Sequence, residues 1–564
     1  MNLRNSLSVL SLVSLSSVAA AQSNWVGFTN ETATRIQGPA SLTSNDVQEK
    51  DMISRDFDKD GDPDLVVVRK TPFSVPGRQQ DVLFMNEGGV LVERTAQFAP
   101  DFLANSSDAR DVLAFDANGD TWLDLVTATT FGDPPRLFIN QANDINGDWQ
   151  GFAESVNWFS PAFPVGPKFC AVYEGDIDND GDLDLFFSDY DNTLDDRLLV
   201  NDGNGVFTDE TDLRMTSEAS NSVFGTGSFV CDFNGDGWND ILKGSGSFEP
   251  VKVVYNDTTG NFSQVQVLPT IAAYMVRAGD YDNDGDLDIH VIDDGQDYTF
   301  RNTGNNPDGS VNWVSSNVVN SPLTAGFSGN VKNADFDLDG YLDLAVSDVD
   351  VDIPGCDRRF VVLRNRIPNT TGGNFGFTDP NSGNIQPVSE QGVHDGEPMD
   401  INGDGFMDLV LGRCTGYEVY MMTPFAVAGT SYCASNENSS IRRGTISAVG
   451  SSSLAANDLT LAVQGLPGNV FGLFYYGPNQ IQVPFGDGIR CIGGLTQRVF
   501  PIQMVSASGL VSFDLDTSAA PVAGGGSTAI SPGDDVNFQF WYRDPSGGPA
   551  GFNLTDAITI SFGL

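Results

Sequence analysis

The stretch Asp176-Ile177-Asp178-Asn179-Asp180-Gly181-Asp182-Leu183-Asp184-Leu185 decides the fold, because the chain writes it seven times. The other copies read DFDKDGDPDL from Asp56, DANGDTWLDL from Asp116, DFNGDGWNDI from Asp232, DYDNDGDLDI from Asp280, DFDLDGYLDL from Asp335 and DINGDGFMDL from Asp400. Their starts lie 60, 60, 56, 48, 55 and 65 residues apart, the period of an array of supersecondary units. Each copy runs into an apolar, strand-like segment such as Leu65-Val66-Val67-Val68 or Leu185-Phe186-Phe187, so the ten residues are read as a loop between two strands.

Within each copy, positions 1, 3, 5 and 9 carry side-chain oxygens, and position 6 is Gly in six of the seven. Oxygen donors at alternate positions of a tight loop converge on one centre and select a hard cation, while Gly accepts the bend's positive φ. The loop is not an EF-hand, which closes with Glu at position 12 between helices. The competing reading is that Asp, Asn and Gly merely end strands, as they do in ordinary turns. Seven copies in register favour metal: their 28 aspartates repel one another in a compact fold without cations. Many anionic oxygens on a flexible loop suit calcium better than magnesium, and about seven calcium ions are expected. The second loop is the weakest candidate, because Thr121 stands at the Gly position.

These loops resemble the calcium loops of FG-GAP/VCBS repeats, the blades of integrin α-subunit heads and of many secreted bacterial proteins. The resemblance spans about residues 24–421 and has a second element. The first six loops are each followed by a strand ending in Asn, at Asn86, Asn140, Asn201, Asn256, Asn302 and Asn365, often with a Phe-Thr-Asp-like strand after it, as at Phe207-Thr208-Asp209. The resemblance implies an all-β fold, a seven-bladed β-propeller with calcium loops. It places ligands at positions 1, 3, 5 and 9, with the position 7 carbonyl. These are Asp56, Asp58, Asp60, Asp62 and Asp64; Asp116, Asn118, Asp120, Trp122 and Asp124; Asp176, Asp178, Asp180, Asp182 and Asp184; Asp232, Asn234, Asp236, Trp238 and Asp240; Asp280, Asp282, Asp284, Asp286 and Asp288; Asp335, Asp337, Asp339, Tyr341 and Asp343; and Asp400, Asn402, Asp404, Phe406 and Asp408. The seventh unit stops near Met421-Met422 without its own Phe-Thr-Asp strand, whereas Phe28-Thr29-Asn30-Glu31-Thr32 supplies one at the amino terminus. Residues 24–34 are therefore expected to complete the seventh unit and close the ring.

Residues 1–21 read as a secretory signal, with Arg4, an apolar stretch from Leu7 to Val18 and Ala19-Ala20-Ala21 before Gln22. Three regions are expected: the signal (1–21), the propeller (22–427) and a carboxy-terminal β-sandwich (428–564). No later apolar run approaches a membrane span. A net charge of −47, from 76 acidic and 29 basic side chains, speaks against nucleic acid and anionic membranes as partners. Six cysteines in an exported chain suggest three disulfides, most simply Cys170–Cys231, Cys356–Cys414 and Cys433–Cys491, against the alternative that several are small buried hydrophobes.

After Ala428 the comb disappears and apolar and polar residues alternate, as in Val536-Asn537-Phe538-Gln539-Phe540-Trp541-Tyr542. Short strands of this kind indicate a β-sandwich, resembling a carboxy-terminal module on secreted bacterial proteins. Its Trp and Tyr residues are expected in the core rather than on a carbohydrate platform. His290 and His394, the two histidines, are expected to be structural, and no nucleophile elbow, zinc-protease motif or phosphate loop is present. Asp348 and Asp352 remain available to a lyase. The leading expectation is a secreted, monomeric calcium-binding protein for adhesion or recognition of extracellular protein or polysaccharide. An extracellular lyase and a structural envelope or matrix component are the alternatives.

Overall fold

The computed structural model describes residues 27–563 apart from 73–74, 160–165, 167, 192–194, 223–224, 246–249, 271–272, 294–296, 318–327, 337–340, 349–358, 366–376, 379–391, 424–428, 437, 441, 450–451, 455–458, 507–508 and 518–529. The expected signal segment thus lies outside the described residues, as do Cys356 and Asp352.

The described residues between 27 and 423 form repeated sheets, six of four strands and one of five, in an all-β arrangement consistent with a propeller-like fold. Each sheet has a seven-residue leading strand: Glu49–Arg55, Ala109–Phe115, Phe169–Gly175, Gly225–Cys231, Ala273–Gly279, Ser328–Ala334 and Val393–Met399. The aspartate repeat begins on the next residue, and its ninth position opens the second strand, as at Asp64–Lys70 and Asp184–Asp189. The comb is therefore the hairpin loop between the first two strands. Two left-handed residues reverse the chain there, for example Asn179 (φ 59°) and Gly181 (φ 99°).

The second strands carry consecutive apolar residues after their opening Asp for a reason visible in the first sheet. Leu65 and Val67 pack with Met399, Val410 and Val419 of the seventh sheet, whereas Val66 and Val68 pack with Val112, Leu125 and Phe138 of the second. Side chains alternate across a strand, so a sheet covered on both faces needs both sets apolar. The same sharing joins every consecutive pair of sheets and finally the seventh to the first. The leading strands contact one another in the same cyclic order.

The amino-terminal strand Gly27–Asn30 pairs antiparallel with Gly416–Thr423 of the seventh sheet, from Gly27 opposite Thr423 to Asn30 opposite Tyr420. Phe28 meets Phe336 edge-on at 6.2 Å. After the turn Thr32–Arg35, Ile36–Gln37 joins the first sheet beside Leu91–Val92. The first described residues thus tie the last sheet to the first.

The cysteine expectation needs one correction. Cys170 and Cys231 are free thiols, not a disulfide. Their leading strands are neighbours in matching register, with Val230 against Gly175. Cys170 is the second residue of one strand and Cys231 the seventh of the other, so they sit at opposite ends, about 17 Å apart along the strand. Cys433 and Cys491 are bonded. Cys414 is also disulfide-bonded, its expected partner Cys356 lying outside the described residues.

From Thr430 onward, one sheet combines Thr430–Tyr432, Phe552–Ser561, Asp535–Arg543, Phe471–Gly477 and the short strands Gln497–Arg498 and Gln503–Met504. A second holds Thr445–Val449, Leu459–Gln464 and Val511–Leu515. Their facing residues, among them Ile446, Leu461, Phe474, Phe538, Phe540, Tyr542 and Ile558, share one core.

Candidate metal centres

The ninth-position aspartate is the fixed point of every loop. Asp64 Oδ2 accepts the amide of Phe57 at position 2 (3.3 Å), and Asp64 Oδ1 accepts the amide of Asn86 on the third strand (2.8 Å). Asp124, Asp184, Asp240, Asp288, Asp343 and Asp408 make the same two bonds, with Met422 replacing Asn in the seventh sheet. This carboxylate therefore fixes the hairpin against the third strand while its remaining lone pairs face the loop.

The structure brings positions 1, 3 and 9 together in three loops. In Asp56/Asp58/Asp64, Asp176/Asp178/Asp184 and Asp280/Asp282/Asp288, one oxygen from each residue lies within 4.8 Å of the others. The position 5 residues Asp60, Asp180 and Asp284 are not in these clusters. Each turns Oδ1 to the amide of position 7, at Asp62, Asp182 and Asp286, at 2.9–3.1 Å. Loops two, four and seven carry Asn at position 3, and Asn118, Asn234 and Asn402 accept the amides of Asp120, Asp236 and Asp404. Asp58 does the same for Asp60, so the amide copies the carboxylate's place. There Asp116, Asp232 and Asp400 cap the position 6 amides, and Trp122, Trp238 and Phe406 donate to position 5. In the sixth loop, Asp335, Tyr341 and Asp343 are described, whereas Asp337 and Asp339 lie outside the described residues.

The donor chemistry fits a hard cation. Asp176 Oδ1 and Asp178 Oδ1 in the third loop and Asp282 Oδ1 in the fifth are buried oxygens that no hydrogen-bond donor reaches. A buried anionic oxygen without a donor is costly, and a divalent ion among these groups removes that cost. Burial, with neighbouring carboxylates adding, pushes Asp58 and Asp282 up to about 6 and Asp64 and Asp288 up to about 8. Arg214 reaches Asp178 at 2.9 Å and Arg301 reaches Asp284 at 3.3 Å, offsetting part of the charge from outside the loop.

Thr121 occupies the turn that Gly fills elsewhere, with φ 73°. A β-branched residue there is strained by about 1–2 kcal/mol, and Gly returns some of that gain through unfolded-chain entropy. Thr121→Gly is expected to raise chelated-protein stability by about 1 kcal/mol, measured by denaturant melts. An unchanged or lower midpoint contradicts the strain.

Two features escaped sequence reasoning. The recurrent Asn binds across sheets: its Nδ2 donates to the position 2 carbonyl of the preceding loop, as Asn140 to Phe57, Asn201 to Ala117, Asn256 to Ile177, Asn302 to Phe233 and Asn365 to Tyr281, at 2.7–2.9 Å. Asn86 reaches Ile401 of the seventh loop. The second is a cavity of about 160 Å³ lined by the leading strands. At its wall Lys332 lies 3.2 Å from Glu397, 3.7 Å from Asp395 and 3.9 Å from Asp51. Carboxylates there also satisfy the next strand's amides: Asp395 takes Met52, Glu397 takes Ser54 and Asp111 takes Val172. His394 lines this cavity, whereas His290 is buried against Phe377 and desolvation lowers it to about 3. Asp348 pairs through its backbone with Arg359.

Among the described residues, no helix is long and apolar enough to cross a membrane. No curated protein matches the chain. Among solved structures, an Agrocybe aegerita lectin described with specific recognition of non-reducing terminal N-acetylglucosamine is similar at 17% identity and a TM-score of 0.40, over 61% of this chain and 84% of that one. Residues 56–127, 176–242, 232–291 and 280–346 match the FG-GAP-like repeat family, so the chain carries FG-GAP-like repeats whose aspartate loops are the hairpins just described.

Proposed function

We infer that the chain is an exported, calcium-stabilised recognition protein: a seven-bladed propeller closed by its amino-terminal strand, followed by a β-sandwich. The observation that carries the metal is the set of buried, donorless carboxylate oxygens converging in the third and fifth loops. Calcium fits their hardness, charge and loop flexibility. The disulfide Cys433–Cys491 supports an oxidising, extracellular setting. With the aspartates committed to metal and backbone, what the fold offers is surface held rigid, which suits adhesion to protein or polysaccharide.

The deciding experiment is a glycan and extracellular-protein array probed with the mature chain in calcium and in chelator. Calcium-dependent retention of a discrete ligand class without turnover is expected. Depolymerisation of a retained polysaccharide, abolished by one substitution outside the seven loops, replaces this reading with a lyase.

A further inference from the structure

The six-stranded sheet of the carboxy-terminal region has a second face that its core does not use. Along Phe471–Gly477, Phe474 and Tyr476 enter the core, so Phe471, Leu473 and Tyr475 point the other way. Trp541 stands opposite Leu473 on the adjacent strand, on that same outer face. The hairpin of Asn479–Phe485 and Gly488–Gly493 covers part of it, with Ile492 packed on Tyr475 and Leu554. A cavity of about 430 Å³ remains open beside the hairpin.

Three rings line this groove in sequence. Phe485 lies 5.3 Å from Phe552, and Phe552 lies 5.5 Å from Trp541. Phe485 is 46% exposed, so its ring is open to a ligand in the groove. Arg490 and Arg498 also line it. Arg490 is pinned by a bond from Nε to the Ile492 carbonyl (2.8 Å), and neither arginine has a carboxylate partner among the described residues. In a chain with 76 acidic side chains, two guanidinium groups left unpaired beside an aromatic row form an anion-seeking site.

The geometry points to an acidic saccharide as the occupant of this groove: the aromatic rings take the C–H faces of the sugars, and the guanidinium forks take a carboxylate or sulfate. Ring faces carry negative potential and suit the positive edges of C–H groups. The cavity has the volume of a small-ligand site rather than the area of a protein interface. Single-stranded nucleic acid also stacks on aromatics, but it needs a track of cations, and here two arginines sit on a chain of net charge −47. The site deepens the recognition reading by naming a ligand class, yet no calcium loop contributes to it.

The test is calorimetric titration of the full mature chain, in calcium, with a galacturonate hexamer, a neutral galactan hexamer, an oligoglutamate and an oligothymidylate. Binding is expected for the galacturonate alone. Arg498→Gln and Phe485→Ser, both at exposed positions, are each expected to weaken it about tenfold with an unchanged melting temperature, as loss of a charged hydrogen bond or a stacking surface predicts. Asp176→Ala should leave it intact, since the third loop takes no part in the groove. Equal binding by the groove variants, preference for any other probe, or no binding overturns the site. A propeller-borne ligand in the array is untouched by that outcome, so the two readings fail separately.

Discussion

A chain beginning at Ile36 is expected to melt about 10 °C below the full mature protein. Its loss removes the strand Gly27–Asn30 from the seventh sheet, together with the Glu31 amide bond to Val419 and the Thr32 hydroxyl that accepts the Val419 amide. Phe28, buried to 6% exposure, leaves a void against Phe336, Tyr420 and Met422. Removing a buried Phe costs about 3–5 kcal/mol and the lost strand pairing adds to it, while each kcal/mol moves the midpoint by about 1–2 °C in an array of roughly 400 residues, because the entropy of unfolding grows with length. The exposed edge of Gly416–Thr423 then becomes a template for association. Phe28→Ala separates the terms, since it keeps the strand and removes the packing. Calorimetry giving the truncated chain the same midpoint as the mature protein would show that the terminus closes nothing.

The second large effect joins calcium to pH. Burial pushes Asp124, Asp184, Asp240 and Asp408 up to about 7, and Asp64 and Asp288 up to about 8, against an unfolded value near 3.8. Between these limits the metal-free native state holds protons that the unfolded chain has released. Its stability therefore falls as pH rises from about 4 through about 8. Calcium bound as proposed would favour the ionised form and oppose that loss, each site adding about 2.7 kcal/mol at a hundredfold excess over Kd. Scanning calorimetry at pH 5.5 and pH 8, with chelator or calcium, should show the larger calcium shift at pH 8. A shift as large at pH 5.5 would separate the aspartates from the metal. Asp176→Ala should release one ion by direct metal analysis and leave the rest.

The aspartate comb and the closing strand were legible because both are local patterns. Asp56 to Asp64 sit in one hairpin, and Phe28-Thr29 repeats the letters of Phe207-Thr208. The Asn at 140 or 201 was visible as a letter, but its partner carbonyl lies 83 or 84 residues back, on a loop of the preceding unit. Nothing in the spacing names that oxygen. Lys332 and the carboxylates of Asp51, Asp395 and Glu397 show no period either, because they meet only where leading strands from different sheets converge. The pairing of Cys170 with Cys231 failed for the complementary reason: neighbouring units are close, but position along the strand decides reach. In the carboxy-terminal region, alternation placed Phe538, Phe540 and Tyr542 in the core, while Trp541, one residue out of phase, falls on the groove.

The asparagine bonds make the unit of inheritance differ from the unit of cooperation. A repeat, as the gene writes it, brings its own aspartates, yet the backbone of its loop is gripped by an amide encoded in the following repeat. Excising one copy, or duplicating one in tandem, would therefore still hand the neighbouring loop a successor that carries the same asparagine. The exception is the sixth loop, whose successor offers Met422 and no amide. Changes in copy number are thus tolerated by the chemistry at six junctions and constrained at the seventh, beside the sheet that both ends of the ring must build together.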